Sequence, residues 1–236
     1  MNSIVQNRPR IVAFAPQYNT GTKKDATGAF IPEAKAFIRF FDMGSEQLYI
    51  IDNNKPAGAM KKAVFAALEK EVSEGTLHGV AFFCHGLKDR IQFGIRKSDI
   101  IEMCRIIAKN CRDDVRVTFY CCDTGRDDDA DRTDDLKEFG GDNGFADTVR
   151  DVLCSLGKSN CVVDSHTSAA HTTMNADVRR FEGMGSPLGG IGGYYIVPRE
   201  KRALFAKWRA ALKTDIRFQF PYWSTAEIHR VLMKDV

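Results

Sequence analysis

Residues 79–84 (GVAFFC) and 115–120 (VRVTFY) are the two stretches that decide the fold of this 236-residue chain. Each has the length of a strand, and each breaks into a loop at a reactive side chain, the first at His85 and the second within 121–125 (CCDTG). Runs that are apolar on both faces are typical of strands in a helix-covered parallel sheet. Because crevices form at the carboxyl edge of such sheets, we expect a functional site at these two strand ends.

Strand-like runs alternate with helix-period segments along the rest of the chain. Further strands are predicted at about 11–15, 48–51, 161–164 and 194–197. The spacing of apolar residues predicts helices over 28–41, after Pro56, from the N-cap Ser98, after Asp142, over 201–213 and from Ser224. This alternation predicts an α/β fold: a mostly parallel sheet with helices on both faces, giving three layers.

The length is enough for one large domain with a well-buried core or for two small ones, and we expect a single α/β domain over 1–236. Hydrophobic residues make up 44% and charged residues 28% of the chain, which is ordinary for a globular protein. We expect a core over about 10–165, with 166–236 either completing the sheet or forming a small C-terminal subdomain. The net charge of +3 is too balanced to favour nucleic acid or a membrane surface as a partner.

The cysteines indicate a reducing compartment. Their number, seven, is odd, and they fall in strands and on helix faces rather than in a loop framework, so we interpret them as reduced thiols. No stretch approaches the roughly 20 apolar residues that a bilayer-spanning helix needs, and the first 16 residues lack the pattern of a secretory signal. A cytoplasmic location is therefore expected.

A thiol and an imidazole at the two strand ends form a candidate catalytic pair. Hydrolysis of an acyl bond by a thiol needs an imidazole within hydrogen-bond reach, which later protonates the leaving group. It also needs backbone N–H groups directed at the developing oxyanion. His85 and Cys122 are 37 residues apart, which fits a single helical crossover between adjacent parallel strands. If the two strands are neighbours, the nucleophile and its base converge.

These motifs also resemble those of a known group of enzymes. An apolar strand ending in His85-Gly86, then a helix, then an apolar strand ending in Cys-x-Thr-Gly at 122–125 is similar to the caspase-like cysteine peptidases. That clan includes caspases, metacaspases, clostripain, gingipains and CHAT-domain proteins, and 122–125 looks most like the CHAT version. The resemblance covers about residues 75–165. It implies a caspase-like three-layer fold and an endopeptidase with Cys122 as nucleophile, His85 as general base and acid, and the backbone amides of Gly86 and Cys122 as oxyanion hole.

The cysteine doublet requires a choice between Cys121 and Cys122. The residue before the nucleophile is usually small in the clan, whereas here it is Cys121. Cys122 is preferred because it aligns with Asp-Thr-Gly. In an extended strand it also points away from the face that carries Val115, Val117, Phe119 and Cys121.

Residues on the next strand are candidates for the substrate pocket of a protein or peptide substrate. Asp164 and His166 end that strand, and Asp123 follows the candidate nucleophile. An acidic pocket residue, Asp123 or Asp164, would favour Arg or Lys before the scissile bond. No resident metal or cofactor is expected.

Two other interpretations are open. The chain could be a catalytically silent interaction or regulatory module, in which the three strand-end cysteines are inert core residues. It could also be a metal-dependent hydrolase that uses Asp164, His166 and His171, whose side chains are suitable metal ligands. An acidic stretch at 127–135 and a glycine-rich one at 182–193 are interpreted as long loops.

Overall fold

A computed structural model describes residues 10–18, 30–40, 47–126, 144–167, 178–186 and 193–195. The helices are α1 (Phe30–Phe40), α2 (Ala57–Glu74), α3 (Ile100–Ala108) and α4 (Phe145–Ser155), with a 3-10 turn over Lys97–Asp99. The strands are β1 (Ile11–Pro16), β2 (Leu48–Ile51), β3 (Leu77–Phe83), β4 (Gly86–Leu87), β5 (Arg90–Ile91), β6 (Ile95–Arg96), β7 (Cys111–Tyr120), β8 (Val162–His166), β9 (Val178–Glu182) and β10 (Tyr194–Tyr195).

Seven of these strands form one mostly parallel sheet in the order β10-β9-β8-β7-β3-β1-β2. Strands β2, β1, β3, β7 and β8 run parallel, whereas β9 is antiparallel to β8 and β10 is antiparallel to β9. The short strands β4, β5 and β6 form a separate antiparallel sheet directly after β3. The α/β class predicted from the alternating pattern is confirmed, and β9 and β10 show that part of 166–236 extends the sheet.

Helices cover both faces of the large sheet. One buried cluster joins α2, α3 and α4 to one face, and a second joins α1 to the other. This arrangement agrees with right-handed crossovers, because the chain moves toward β2 after β1 and in the opposite direction after β3. The carboxyl ends of β1 and β3 therefore flank a topological switch point, where open α/β sheets form their binding crevices.

A row of aromatic rings crosses the middle of the sheet on the face of α2, α3 and α4. Tyr49, Phe14, Phe82 and Phe119 occupy facing positions on four successive strands. The Phe82 ring stacks on Phe14 and on Phe119, each at 5.3 Å between centroids, and Tyr49 stacks on Phe14 at 5.5 Å. Cross-strand ring pairs stabilise a sheet and specify its register, so this row fixes which residues of β3 and β7 lie opposite each other.

The six predicted strands agree with described strands of the large sheet to within a few residues. The prediction did not include β9 of the large sheet or the two-residue strands β4, β5 and β6. β9 (VRRFE) carries only two apolar residues and two adjacent arginines, so it gives little strand signal; its partners in the sheet make it a strand. Ser98 was predicted as an N-cap, but it lies inside the 3-10 turn, and Asp99 precedes α3. The helices predicted over 201–213 and from Ser224, the acidic stretch 127–135 and His171 lie outside the described residues.

Among the residues that the structure describes, no helix is long and apolar enough to cross a membrane. All seven cysteines lie within the described ranges, and none of them is joined in a disulfide. Two pairs of sulfur atoms are close together, Cys84 with Cys121 at 3.5 Å and Cys154 with Cys161 at 3.9 Å.

Replacing Phe82 with alanine is expected to lower the free energy of unfolding by about 3–5 kcal/mol, because it leaves a cavity in the centre of the aromatic row. Urea unfolding followed by circular dichroism measures the change. Ile101→Ala is the control, since that side chain is 52% exposed and its loss should change stability by no more than about 0.5 kcal/mol. Equal effects of the two substitutions would contradict the role given to the row.

Candidate active site

His85 is held at the end of β3 by the small sheet that follows it. Its backbone carbonyl accepts a hydrogen bond of 2.8 Å from the backbone N–H of Gln92, and its own N–H donates to Gln92 Oε1 at 3.2 Å. The imidazole meets the Phe30 ring of α1 edge-on, with 4.9 Å between centroids. Its Nε2 atom is buried and has no hydrogen-bond partner among the described residues. The ring is therefore fixed while one nitrogen is left to take part in chemistry.

The two cysteines of the doublet differ in burial. Cys121 is fully buried, and its sulfur lies 3.5 Å from Cys84 Sγ and 3.6 Å from the Phe82 carbonyl oxygen. Burial raises the pKa of the Cys121 thiol well above its ordinary value. Cys122 is only partly buried and lies in the turn directly after β7. Of the two thiols, Cys122 is the one that a reagent can reach.

The strand ends that carry His85 and Cys122 are direct neighbours. β3 pairs with β7 in parallel, with Phe83 opposite Tyr120, so continuing the register places His85 opposite Cys122. The loops also touch, since a Cβ added to Gly86 would lie 2.6 Å from the Cys122 carbonyl oxygen and 2.8 Å from Cys121 Cβ. The predicted adjacency of the two strands is confirmed, and Gly86 is the residue whose lack of a side chain permits the contact.

The backbone N–H of Gly86 does not take part in the hydrogen bonds between β4 and β5. Leu87 pairs with Arg90 across a two-residue turn, and Gly86 pairs with Ile91. In a hairpin of this kind the pair next to the turn exchanges hydrogen bonds and the following pair does not. The N–H of Gly86 is therefore directed away from β5, which is what the role of an oxyanion-hole donor requires.

The loop that follows Cys122 is anchored from behind by buried hydroxyl groups. The Thr124 hydroxyl donates to the Cys121 carbonyl at 3.3 Å and lies 2.6 Å from Ser165 Oγ, and both side chains are buried. The Gly125 N–H donates to the His166 carbonyl at 2.8 Å. Asp123 has a φ of 57°, in the left-handed region that few residues other than glycine adopt. The chain thus turns sharply after Cys122 and is tied at once to β8.

Sequence reasoning missed this anchoring role of Thr124 and Ser165. The sequence shows both as hydroxyl residues at strand ends. They meet only because β8 is the strand that pairs with β7, and the sequence does not reveal that pairing.

The predicted pocket residues fall in different places. Asp123 is beside Cys122, and its carboxylate lies 3.4 Å from the Arg126 guanidinium. His166 is the last residue of β8, is 2% exposed, and its ring centroid lies 5.8 Å from that of Tyr120. Both are therefore at the same sheet edge as the candidate pair.

Asp164 lies away from that edge. It is opposite Thr118, which precedes Cys122 by four positions, or about 13 Å along a strand. Arg180 donates to both oxygens of the Asp164 carboxylate at 2.8 and 3.1 Å, and Arg116 lies 3.5 Å away. Because both Asp123 and Asp164 have arginine partners, neither presents an unbalanced negative charge to a basic substrate side chain.

The metal alternative gains no support from the described part of the chain. No group of three or more histidine, cysteine, aspartate or glutamate side chains is arranged there to hold a metal ion. Of the three ligands considered, Asp164 is in the ion pair with Arg180, and His171 lies outside the described residues.

A cavity of about 380 Å³ lies at the opposite, amino end of the strands, between α1 and the sheet. Its polar lining consists of His78, Asp114, Arg116 and Thr118. None of the predicted site residues lines it, so the candidate active site is a separate feature at the carboxyl edge.

Comparisons of the chain with protein-family models, with curated proteins and with solved structures found no significant match. The function is therefore argued from the geometry of the chain's own residues.

Folded protein is expected to show a sharp separation of thiol reactivity. Burial raises the pKa of the Cys104 thiol to about 12 and also raises the pKa of Cys111, Cys121 and Cys161. A raised pKa lowers the thiolate fraction at a given pH, so these four should resist iodoacetamide from about pH 7 to about pH 9, whereas the partly buried Cys122 and Cys154 react. Peptide mapping by mass spectrometry measures this, with urea-unfolded protein as the control. Equal labelling of Cys121 and Cys122 in the folded state would overturn the choice between them.

Gly86→Ala is expected to slow the alkylation of Cys122 and to destabilise the fold by about 1–3 kcal/mol, because the added methyl group forces the two loops apart. Gly58→Ala is the matched control, since a Cβ there would meet no atom within 4 Å. That variant should keep both stability and labelling rate. If Gly86→Ala behaves as Gly58→Ala does, the loops are not in contact.

Proposed function

We propose that this protein is a cysteine endopeptidase with a caspase-like fold and a Cys122–His85 catalytic dyad. The observation that carries the proposal is the pairing of β3 with β7, which brings the two strand ends together and seats Gly86 against the Cys122 carbonyl. A thiol and an imidazole that follow neighbouring parallel strands at the same edge of the sheet are near enough in the fold for a thiol nucleophile and its base to meet.

Each proposed chemical step has a group to perform it. His85 takes the proton of the Cys122 thiol, and the thiolate attacks the carbonyl carbon of a peptide bond. The backbone amides of Gly86 and Cys122 stabilise the oxyanion that forms. His85 then gives its proton to the leaving amine, and the acyl group stays on Cys122 as a thioester. A water molecule, deprotonated by His85, hydrolyses the thioester and restores the thiol.

Three features of the surroundings support this proposal. The buried Nε2 of His85 has no partner among the described residues, and an unsatisfied buried polar atom calls for a functional explanation. The site lies beside the topological switch point between β1 and β3. Asp123, at φ 57°, sits in a sparsely populated backbone conformation next to the nucleophile, and such residues are concentrated at active sites.

Asp123 and His166 are proposed to contact the substrate, because both lie at the sheet edge that carries the dyad. Asp164 is not proposed to do so, because its carboxylate is bound by Arg180. A reducing compartment such as the cytoplasm suits a protein whose nucleophile is a thiol and whose close sulfur pairs are not oxidised.

Site-resolved alkylation tests the dyad without knowledge of the substrate. Limiting iodoacetamide at neutral pH is expected to modify Cys122 at least about tenfold faster than Cys154, since an imidazole partner increases the thiolate fraction. His85→Ala should remove that advantage and leave the Cys154 rate unchanged. Cys154 is the internal control because it is also partly buried, but lies on α4.

Peptide-library cleavage by the parent protein, and its loss in Cys122→Ser, would then establish the endopeptidase. If Cys122 reacts at the same rate with and without His85, the dyad does not exist. The chain is then better interpreted as a catalytically silent interaction or regulatory module.

A further inference from the structure

Arg179 is a buried cation that joins the loop carrying Cys122 to the start of β10. It lies on β9 and is 3% exposed. One arm of its guanidinium donates to the Gly125 carbonyl at 3.2 Å, and Nε and the other arm donate to the Gly193 carbonyl at 3.3 and 3.0 Å. The guanidinium also lies over the Phe181 ring, 5.2 Å from its centroid. One side chain therefore holds carbonyl groups from two separate segments.

The position of the Gly125 carbonyl affects the position of Cys122, because only two residues separate them. The Gly125 N–H is already bound to the His166 carbonyl, so Arg179 completes the attachment of that residue on its other side. Between Cys122 and Gly125 the chain makes a tight turn, closed by a hydrogen bond of 3.1 Å from the Arg126 N–H to the Asp123 carbonyl. Because the turn is short and tied, a shift of Gly125 is transmitted to the Cys122 amide and sulfur.

The chemistry of arginine suits this task. A buried cation is costly unless its N–H groups find acceptors, so the guanidinium draws the two carbonyls toward it. Its donors form a rigid planar fork, which fixes the angle between the two segments as well as their distance. A lysine at this position keeps the charge but has a single donor atom on a flexible stem, so it cannot reproduce the geometry.

We propose that Arg179 is a positioning residue for the reaction of Cys122, and that through it the placement of Gly193 controls the reactivity of the nucleophile loop. This inference rests on the proposed function, since it assigns a role in the reaction of the same dyad. The described hydrogen bonds of Arg179 go to the Gly125 and Gly193 carbonyls rather than to His85 or Cys122. Arg179 acts on the Gly125 carbonyl.

The first test compares Arg179→Lys and Arg179→Ala with the parent protein. Both are expected to slow the His85-dependent alkylation of Cys122 by about ten- to a hundredfold, the usual cost of a small misplacement of a reacting group. In peptide cleavage, kcat should fall while KM stays within about twofold, because the substrate contacts are kept. Addition of guanidinium chloride at low concentration should restore part of the rate in Arg179→Ala but not in Arg179→Lys, with potassium chloride as the ionic-strength control.

Arg150→Lys is the matched control for the loss of a buried arginine. Arg150 is also 3% exposed and is held by Asp147, Asp151 and the Glu182 carbonyl, and these three partners lie on α4 and β9 rather than on the nucleophile loop. This variant should lose thermal stability to a similar degree and keep the alkylation rate of Cys122.

A second variant acts from the other end of the link. A Cβ at Gly193 would lie 2.4–2.7 Å from three carbons of the Phe181 ring, so in Gly193→Ala either the Gly193 backbone or the Phe181 ring has to shift. Both are partners of Arg179, and either shift disturbs the link. This variant should slow the alkylation of Cys122, although Arg179, His85 and Cys122 themselves are not substituted. This variant and Arg179→Lys keep the test decisive if Arg179→Ala does not fold.

The outcomes separate the inference from the proposed function. If the parent Cys122 shows no dependence on His85, the dyad and this inference both fail. If the parent shows that dependence and the Arg179 and Gly193 variants retain the parent rate, the inference alone fails. The inference also fails if Arg150→Lys slows the alkylation of Cys122 as much as Arg179→Lys does. The slower alkylation would then result from general destabilisation of the fold.

Discussion

The register between β3 and β7 is the constraint on which the rest of the structure depends. On one face it is set by the stack of Phe14, Phe82 and Phe119, and on the other by the Phe83–Tyr120 pair, whose rings lie 4.6 Å apart and nearly parallel. His85 and Cys122 each follow the stacked phenylalanine of their own strand by three positions. A slip of one residue would turn every side chain of β7 to the other face and would exchange the positions of Cys121 and Cys122.

The end of β7 gives the two cysteines of the doublet different environments. Cys121 is buried beside Cys84, where burial raises the pKa of its thiol, whereas Cys122 is only partly buried and lies in the turn that follows the strand. Two chemically identical residues thus become a core residue and a candidate nucleophile. The strand end makes this difference, because Cys121 still packs against Cys84 in the core, whereas Cys122 already belongs to the turn.

The loop after Cys122 shows how a strand end is made rigid enough for chemistry. Thr124 and Ser165 bind it to β8, and Arg179 binds it to β9 and to the start of β10. All of these contacts join the loop to elements that follow it in the chain. The candidate site therefore depends on strands that come late in the chain as much as on the two strands that carry its reactive groups.

Apolar runs and their breaks are local signals, so the α/β class, the positions of the long apolar strands and the presence of a histidine and a cysteine at two strand ends could be predicted from the sequence alone. It could not determine that Asp164 is bound by Arg180 and Arg116, that β9 is a strand, or that Arg179 reaches the Gly125 carbonyl. Those facts depend on which strands become neighbours. Strand order is decided by packing between segments far apart in the chain, so only the tertiary structure could settle them.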